Sequence, residues 1–436
     1  MPMPYRSLAD PETQGEGSID PLGLANLADQ LADWLLPGMT ARMWRPRFLT
    51  AMAVSSLVIE PFEEEVAKDG ISPPWIALEW YYVEGVAGLA EDKEGNLRRI
   101  PGIDKARRAL REKVPLSARR YLKTPKVFGF HGVYKRLARA LDIADDKLRC
   151  GDGGYALLRT WEDEQGLSGF LDGNHGAGEG ARIVWAIRDA LHDALVAGQA
   201  QRQGAWVGAS FFVNHLLPHN SGSREADFLW GRLRALEPQG EILTLMRDPV
   251  VRSALEEPLG ERGALQGLLG RASAELRRRL EVVEAYEGFC RPLQEAWDIL
   301  RRHSTLQRPA VVHPGDFAGQ PRAGQLVSEI VRGIEAGRRL LDGSPVEAGF
   351  DTLIGAFEQM KTPQDLFLAL WTHHQTVQKG KPPEGKRPWF EEAGEGGLIV
   401  RPPYRIDQDV PVRDAYVHPY RLFSVASFIE DLRRGA

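Results

Sequence analysis

Four places in the 436-residue chain set residue types at spacings that could do chemistry. His215 and His219 stand four apart, the spacing of a metal-binding pair on one helix face. Pro218 lies between them, however, and breaks the helix such a pair needs, and no glutamate sits inside the pair to act as a base. His313-Pro314-Gly315-Asp316 can bring an imidazole and a carboxylate together, and a turn closed by the aspartate side chain accounts for the same residues. His373 and His374 are adjacent, so they leave a helix in different directions; one of them suits the negative end of the helix dipole. Glu391 or Glu392 with Asp407 and Lys386 has the composition of a metal-dependent nuclease site, with no spacing that demands one. None of these is a complete catalytic motif. The expectation is a chain without a cofactor or a bound metal.

The stronger signal is charge. The net charge is −5, yet residues 98–139 hold fourteen cations: Arg98, Arg99, Lys105, Arg107, Arg108, Arg111, Lys113, Arg119, Arg120, Lys123, Lys126, Lys135, Arg136 and Arg139. Only Asp104 and Glu112 oppose them, so the rest of the molecule is strongly acidic. Such segregation makes a local positive field reaching about one Debye length, roughly 8 Å. Contact with a phosphate backbone is the commonest use of such a field. Docking on an acidic surface of the same chain, or a solvated helix face, are the other readings of the same residues.

A second cationic run lies near the C-terminus, where Lys379, Lys381, Lys386 and Arg387 alternate with prolines ahead of Trp389-Phe390. Arg401, Tyr404, Arg405, Arg413, Tyr416, His418, Tyr420 and Arg421 continue it. Cations beside flat rings suit phosphate contact with base stacking, with Trp389, Tyr404 and Tyr420 as the stacking rings. The plainer reading is a tail whose aromatic side chains anchor it to a helical body.

The elements that must position these residues read as helices. Asp20 caps and Pro21 opens a helix carrying Leu24, Leu27, Leu31, Trp34 and Leu35, which Pro37-Gly38 ends. Two more follow over about 47–65 and 75–89. Val133, Leu137 and Leu141 form a short stripe; a glycine turn at 151–154 and a second helix then give a helix-turn-helix or winged-helix-like layout. Gly173, Gly176, Gly178 and Gly180 punctuate a run that lacks the Gly-Lys-Ser/Thr of a phosphate loop and reads as a linker. Leu269, Leu276, Val283, Cys290 and Trp297 recur every seven residues, with Ala272, Tyr286, Leu293 and Leu300 as companions. This predicts a long helix or a helical hairpin, bent near Gly288 and Pro292, that serves as a core helix of a bundle or offers a seam around Leu276 and Val283 to a partner helix. Helices follow at 327–341, at 350–360 and from Thr362-Pro363; Leu398-Ile399-Val400 and Tyr416-Val417 are the strand candidates, and 424–432 is a closing helix.

The fold class expected is mainly α: a multidomain helical protein with a winged-helix-like module and a small irregular C-terminal region with short strands. The segments read as a flexible lead-in (1–18), an N-terminal helical domain (19–95), a basic module (96–172), a linker (173–180), a helical bundle (181–303), a helical region (304–378) and the basic-aromatic end (379–436). Two cysteines, Cys150 and Cys290, are too few for a disulfide framework. With no apolar stretch of membrane-spanning length and no secretory start, the expected location is the cytoplasm.

Asp20-Pro21-Leu22-Gly23-Leu24, Leu35-Leu36-Pro37-Gly38-Met39-Thr40 with the basic stretch 42–47, Phe130-His131-Gly132-Val133-Tyr134-Lys135 and the lysine-proline-tryptophan tail resemble bacterial proteins of unknown function encoded in multigene phage-defence clusters. The likeness touches about a quarter of the chain and carries no catalytic residue. It implies a non-catalytic nucleic-acid-binding or adaptor subunit of an antiviral assembly, contacting DNA and other defence proteins. A metal-dependent nuclease of such a system, or a protein-only scaffold for a helicase or ATPase, are the alternatives.

Overall fold

The computed structural model describes residues 20–89, 97, 99–173, 177–201 and 207–435. The lead-in 1–18, Arg98 and positions 174–176 of the glycine run lie outside the described residues. In chain order the helices are α1 (Ala25–Leu35), α2 (Phe48–Ile59), α3 (Pro74–Leu89), α4 (Ile103–Arg111), α5 (Pro125–Phe128), α6 (Phe130–Ala140), α7 (Asp152–Gln165), α8 (Glu179–Ala197), α9 (Val207–Leu216), α10 (Ser223–Arg234) and α11 (Gln239–Leu245). They continue with α12 (Pro249–Ser253), α13 (Glu261–Leu269), α14 (Ala274–Leu306), α15 (Pro314–Ala318), α16 (Ala323–Leu340), α17 (Glu347–Ile354) and α18 (Pro363–Lys379). A hairpin of β1 (Phe390–Ala393) and β2 (Gly397–Val400) precedes α19 (Leu422–Gly435). The protein is mainly helical, with one small antiparallel pair near the C-terminus in the register Phe390↔Val400. Among the described residues no helix is long and apolar enough to cross a membrane.

The chain folds as two compact units, Met1–Leu35 with Val250–Tyr420 and Leu36–Pro249 with Arg421–Ala436. This division cuts the segments 19–95, 181–303 and 379–436 that composition suggests, and it leaves 173–180 inside the second unit. Composition marks breaks between elements, whereas a core is decided by which distant elements pack together. The glycines of 173–180 show the difference. A Cβ on Gly180 would lie 2.0 Å from the Leu167 carbonyl oxygen, so that residue is there for close approach.

In the first unit, α14 starts at Ser273, whose hydroxyl accepts the Leu276 N–H at 3.2 Å. The heptad positions Leu276, Val283, Cys290 and Trp297 are completely buried, as are Tyr286, Leu293 and Leu300. This face is a core seam against the unit's own elements, and the partner-helix seam expected around Leu276 and Val283 is corrected by that burial. α16 comes so near that a Cβ on Gly333 would stand 2.8 Å from the Phe289 Cα. α18 opens with the expected cap: the Thr362 hydroxyl accepts from Asp365 N–H, and Asp365 accepts from the Thr362 N–H at 2.8 Å. Asp20 accepts from the N–H groups of Leu24 and Ala25, so α1 starts four residues later than Pro21 suggests.

In the second unit, α2 is buried along its whole length and α3 from Ile76 to Val86. A helix apolar on every side belongs inside a core. Phe48 joins Tyr82, Phe130 and Tyr134 in one ring cluster, with centroids 5.2–5.9 Å apart. Arg47 and Glu225 form a buried ion pair at 3.0 Å, which Thr50 and the carbonyls of His215 and Leu217 complete. The two helices expected form as α6 and α7, joined through an Ala144↔Cys150 bridge, but Gly153 and Gly154 lie in the first turn of α7, which corrects the turn expected at 151–154. α19 closes the unit: the Ser424 hydroxyl donates to the Thr40 carbonyl at 3.0 Å and the Ser427 hydroxyl to that of Trp44 at 2.6 Å.

Candidate nucleic-acid interface

Two carboxylates on α3 hold the cationic segment in place. Glu79 is completely buried. Its Oε1 accepts the His131 backbone N–H at 2.9 Å and pairs with His131 Nδ1 at 2.8 Å. Its Oε2 accepts the Tyr121 hydroxyl at 2.9 Å. Burial first, and the neighbouring Glu79 charge second, push the Tyr121 phenol well above its ordinary range, so it stays protonated and donating. Gly129 packs on the same carboxylate, where a Cβ would stand 2.3 Å from Glu79 Oε2. Glu84 Oε1 accepts the Leu116 N–H at 2.9 Å. The stretch 116–131 is therefore pinned at three points, with its lysines and arginines between them.

α4 carries the first half of the cations. Ile103, Ala106 and Ala109 face inward, and Lys105, Arg108 and Arg111 face solvent. The helix starts after Gly102, at φ 83°, where a Cβ would strike the Tyr121 ring at 2.4 Å. It ends with Lys113 N–H donating to the Leu110 carbonyl and Val114 N–H to that of Ala109. That double closure needs a left-handed residue at Lys113, which sits at φ 54°. A lysine occupies a position that glycine fills at lower cost.

Several cations of this segment are paired locally. Arg107 lies 3.9 Å from Asp104, Arg108 2.8 Å from Glu112 and Arg139 3.0 Å from Asp146. Lys135, half-buried, donates to the Asp146 carbonyl. Glu112 is held below the usual carboxylate range first by its hydrogen bond from Arg108, with the charges of Arg120 and Arg111 adding to it. Three guanidinium groups thus surround one carboxylate. Lys105, Lys113, Arg119 and Lys126 are exposed, and their side chains make no ion pair among the described residues. Lys123 and Arg136 are exposed as well.

Sequence reasoning missed three residues beside this segment. Phe128, at the end of α5, is 43% exposed, and the Arg42 guanidinium lies over its ring at 4.3 Å from the centroid. The Arg99 guanidinium lies over Trp44 at 3.9 Å. The available signal for Phe128 was its place in Pro125-Lys126-Val127-Phe128-Gly129, an apolar pair closed off by proline and glycine next to a lysine.

The C-terminal set is placed differently, and its expected role is corrected. Trp389 and Tyr404 are buried and stack on each other, with centroids 4.3 Å apart and planes at 3°. The Arg301 guanidinium lies 5.0 Å from the Trp389 ring centroid. Tyr420 is fully buried, with its hydroxyl donating to Glu287 at 3.0 Å. Arg401 and Arg421 are buried; Arg401 donates to the Pro388 carbonyl at 3.3 Å, and Arg421 does the same to Leu36. None of these five presents a face on which a base can stack or a phosphate can rest. Lys381 is half-buried and donates to the Asp20 carbonyl, Lys386 is half-buried, and Arg387 is paired with Glu391 at 2.7 Å. Lys379 and Arg405 are exposed. The tail is an anchored strap, the plainer of the two readings. Tyr416-Val417 is not a strand, because Glu287 takes the place of a pairing strand: it accepts from Val417 N–H at 2.7 Å and His418 N–H at 3.3 Å.

The histidine and carboxylate candidates separate too. His215 pairs with Gln165 at 3.0 Å, and burial pushes its pKa down. His313 and Asp316 form a capping box, the turn reading, and the hydrogen bond from the His313 N–H holds Asp316 below the usual carboxylate range. His373 Nε2 and His374 Nδ1 donate to the Leu22 and Pro21 carbonyls at 2.8 and 2.7 Å. His374 Nε2 accepts the Trp389 N–H at 2.9 Å. Accepting from Trp389 requires a neutral ring, and burial, the largest cause, brings the His374 pKa down to about 4 against the Pro21 bond, which raises it. Both rings tie down 21–22, so neither serves the helix end. Glu392 accepts from Trp371 Nε1 at 3.1 Å, and Glu391 and Glu392 are neighbours on one strand, so their carboxylates point to opposite faces. Among the described residues no group of three His, Cys, Asp or Glu side chains could hold a metal ion.

The first unit also has a cleft of about 560 Å³ between α14, α16 and residues 412–414. Three of the four arginines that line it, all but Arg332, are paired with carboxylates. Arg322 bonds Glu295 at 2.8 Å and Glu329 at 3.0 Å, Arg291 lies 3.4 Å from Glu284, and Arg413 lies 2.6 Å from Asp298. Comparison with protein-family models, with curated proteins and with solved structures finds no match to this chain.

Proposed function

We propose that this protein binds the phosphate backbone of nucleic acid through the cations of residues 99–139, as a non-catalytic adaptor. One observation supports the reading: Lys105, Lys113, Arg119 and Lys126 project to solvent without a carboxylate partner among the described residues, and Arg108, Arg111 and Arg120 share Glu112. Exposed charges of this kind add little to folding, but set along a nucleic-acid strand they displace condensed counterions. DNA is the first polymer to test. The resemblance to proteins of phage-defence clusters would give such an adaptor a helicase, ATPase or nuclease partner that performs the chemistry.

The test is affinity for a short DNA duplex at rising salt. Log affinity falls linearly with log salt, by about 0.9 for each phosphate contact. A variant with Lys105, Lys113, Arg119 and Lys126 changed to glutamine loses affinity and shows a slope flatter by about 3 to 4. Salt-independent binding, or an unchanged slope in that variant, overturns the proposal.

A further inference from the structure

We propose that the Arg42–Phe128 stack, with Trp44–Arg99 beside it in the chain, is a platform for unpaired bases, so that the preferred ligand is single-stranded nucleic acid. The inference rests on the phosphate-binding reading and adds the strand state of the polymer. Phe128 is not exposed for want of a core: two residues on, Phe130 is 1% exposed and stacks on Phe48 at 5.4 Å. The short α5 and the Gly129 that closes it turn Phe128 and Val127 outward, and Val127 is 48% exposed.

The platform is held rigidly from both sides. Gly129 is seated on the buried Glu79 carboxylate. The loop that carries Arg42 and Trp44 is fixed because the Tyr134 hydroxyl accepts the N–H groups of Trp44 at 3.1 Å and Arg45 at 3.0 Å, and because Met43 is fully buried. Neither Arg42 nor Arg99 has a carboxylate partner among the described residues, so both guanidinium planes keep their full charge beside a ring. A flat cation stacked over a half-exposed ring offers base-stacking surface on the sides the two do not cover, and every base has a π-face to match it. A duplex hides those faces within its own stack, and a single strand exposes them. Lys126, two residues before Phe128, lies exposed where the strand's phosphates would follow.

The experiment compares three probes of equal length at one salt concentration: single-stranded oligothymidine, an abasic strand of the same charge, and a duplex. The wild-type protein binds oligothymidine more tightly than the abasic strand. Phe128→Ala weakens oligothymidine binding about tenfold, the loss of one stacked base, and changes duplex and abasic binding less than about twofold. Phe128→Tyr restores it, and circular dichroism checks that each variant is folded. Equal binding of oligothymidine and abasic strands, or no effect of Phe128→Ala, overturns the stacking platform while a steep salt slope leaves phosphate binding intact. No salt-dependent binding to any probe overturns both.

Discussion

Two arginine-rich regions of this molecule look alike in sequence and differ in what surrounds them. In the first unit, around α14 and the strap at 401–420, each of six guanidinium groups meets a carboxylate. Arg262 and Arg291 meet Glu284, Arg301 and Arg413 meet Asp298, Arg302 meets Asp409, and Arg322 meets Glu295 and Glu329. In the second unit, Arg107, Arg108 and Arg139 meet Asp104, Glu112 and Asp146, and four other cations of 99–139, Lys105, Lys113, Arg119 and Lys126, have no ion pair among the described residues. Cation density is therefore no guide to binding by itself. Where the partners are built into the fold, the arginines fasten chain to chain. Where they are missing, the field points outward.

The aromatic residues divide the same way. Trp389 and Tyr404 stack on each other inside the first unit, whereas Phe128 stacks under a guanidinium at the surface of the second. Rings next to cations occur in both places, and only burial separates an anchor from a platform.

The contrast can be broken by mutation. Arg322→Ala strands Glu295, a carboxylate 3% exposed, and its loss costs about 3 kcal/mol in thermal or denaturant unfolding. Arg119→Ala shifts stability by less than about 0.5 kcal/mol, as expected of an exposed charge away from any network. If both substitutions cost the same, the distinction between fastening and presenting cations fails.

A second break uses pH. The pKa of His374 is brought down to about 4 in the folded protein, from the ordinary imidazole value of 6.5, so between those values the unfolded chain binds the extra proton. The stability that depends on neutral His374 is fully present above about pH 6.5 and is lost as pH falls toward 4, by about 3 kcal/mol in all. Burial also pushes His373 down, in the same direction. Unfolding midpoints measured from pH 7 to pH 4 fall less steeply for His374→Asn than for wild type; parallel curves would show that the ring does not fasten Pro21 to Trp389.

The smallest effect sharpens the comparison most finely. Lys113→Gly relieves a left-handed lysine and stabilises the protein by about 1 kcal/mol, while flattening the salt slope of DNA binding by about 0.9. Denaturant midpoints and the salt titration read the two changes in one variant. A loss of stability would show that the Lys113 side chain makes up for its backbone strain.

Local features were legible in the sequence: the stripe of α1, the capping residues Thr362 and Pro363, the heptad seam of α14 and the short strand at Leu398-Ile399-Val400. Each depends on residues a few positions apart, where spacing decides geometry. The division into units was not legible, because α1 joins elements more than two hundred residues away and α19 returns to the other unit. Glu79 and Glu84 escaped notice inside the apolar run of α3, although a carboxylate in a helix buried on every side must have donors waiting for it. The sequence leaves Trp389, Tyr404 and Tyr420 open as stacking rings or as anchors, because aromatic-cationic composition is the same for a strap and for a binding surface. What tells them apart is the partner across space: Glu287 for Tyr420, Tyr404 for Trp389.

Lysine reactivity with and without oligonucleotide tests the central claim most directly, since both regions are read in one sample. Lys105, Lys113 and Lys126 of the second unit and Lys379 of the first are all exposed. The account predicts that acetylation of Lys105, Lys113 and Lys126 slows when the oligonucleotide is added, while Lys379 reacts as before. Protection at Lys379 alone, or no protection at the three lysines of 99–139 under conditions where binding is saturated, would contradict it.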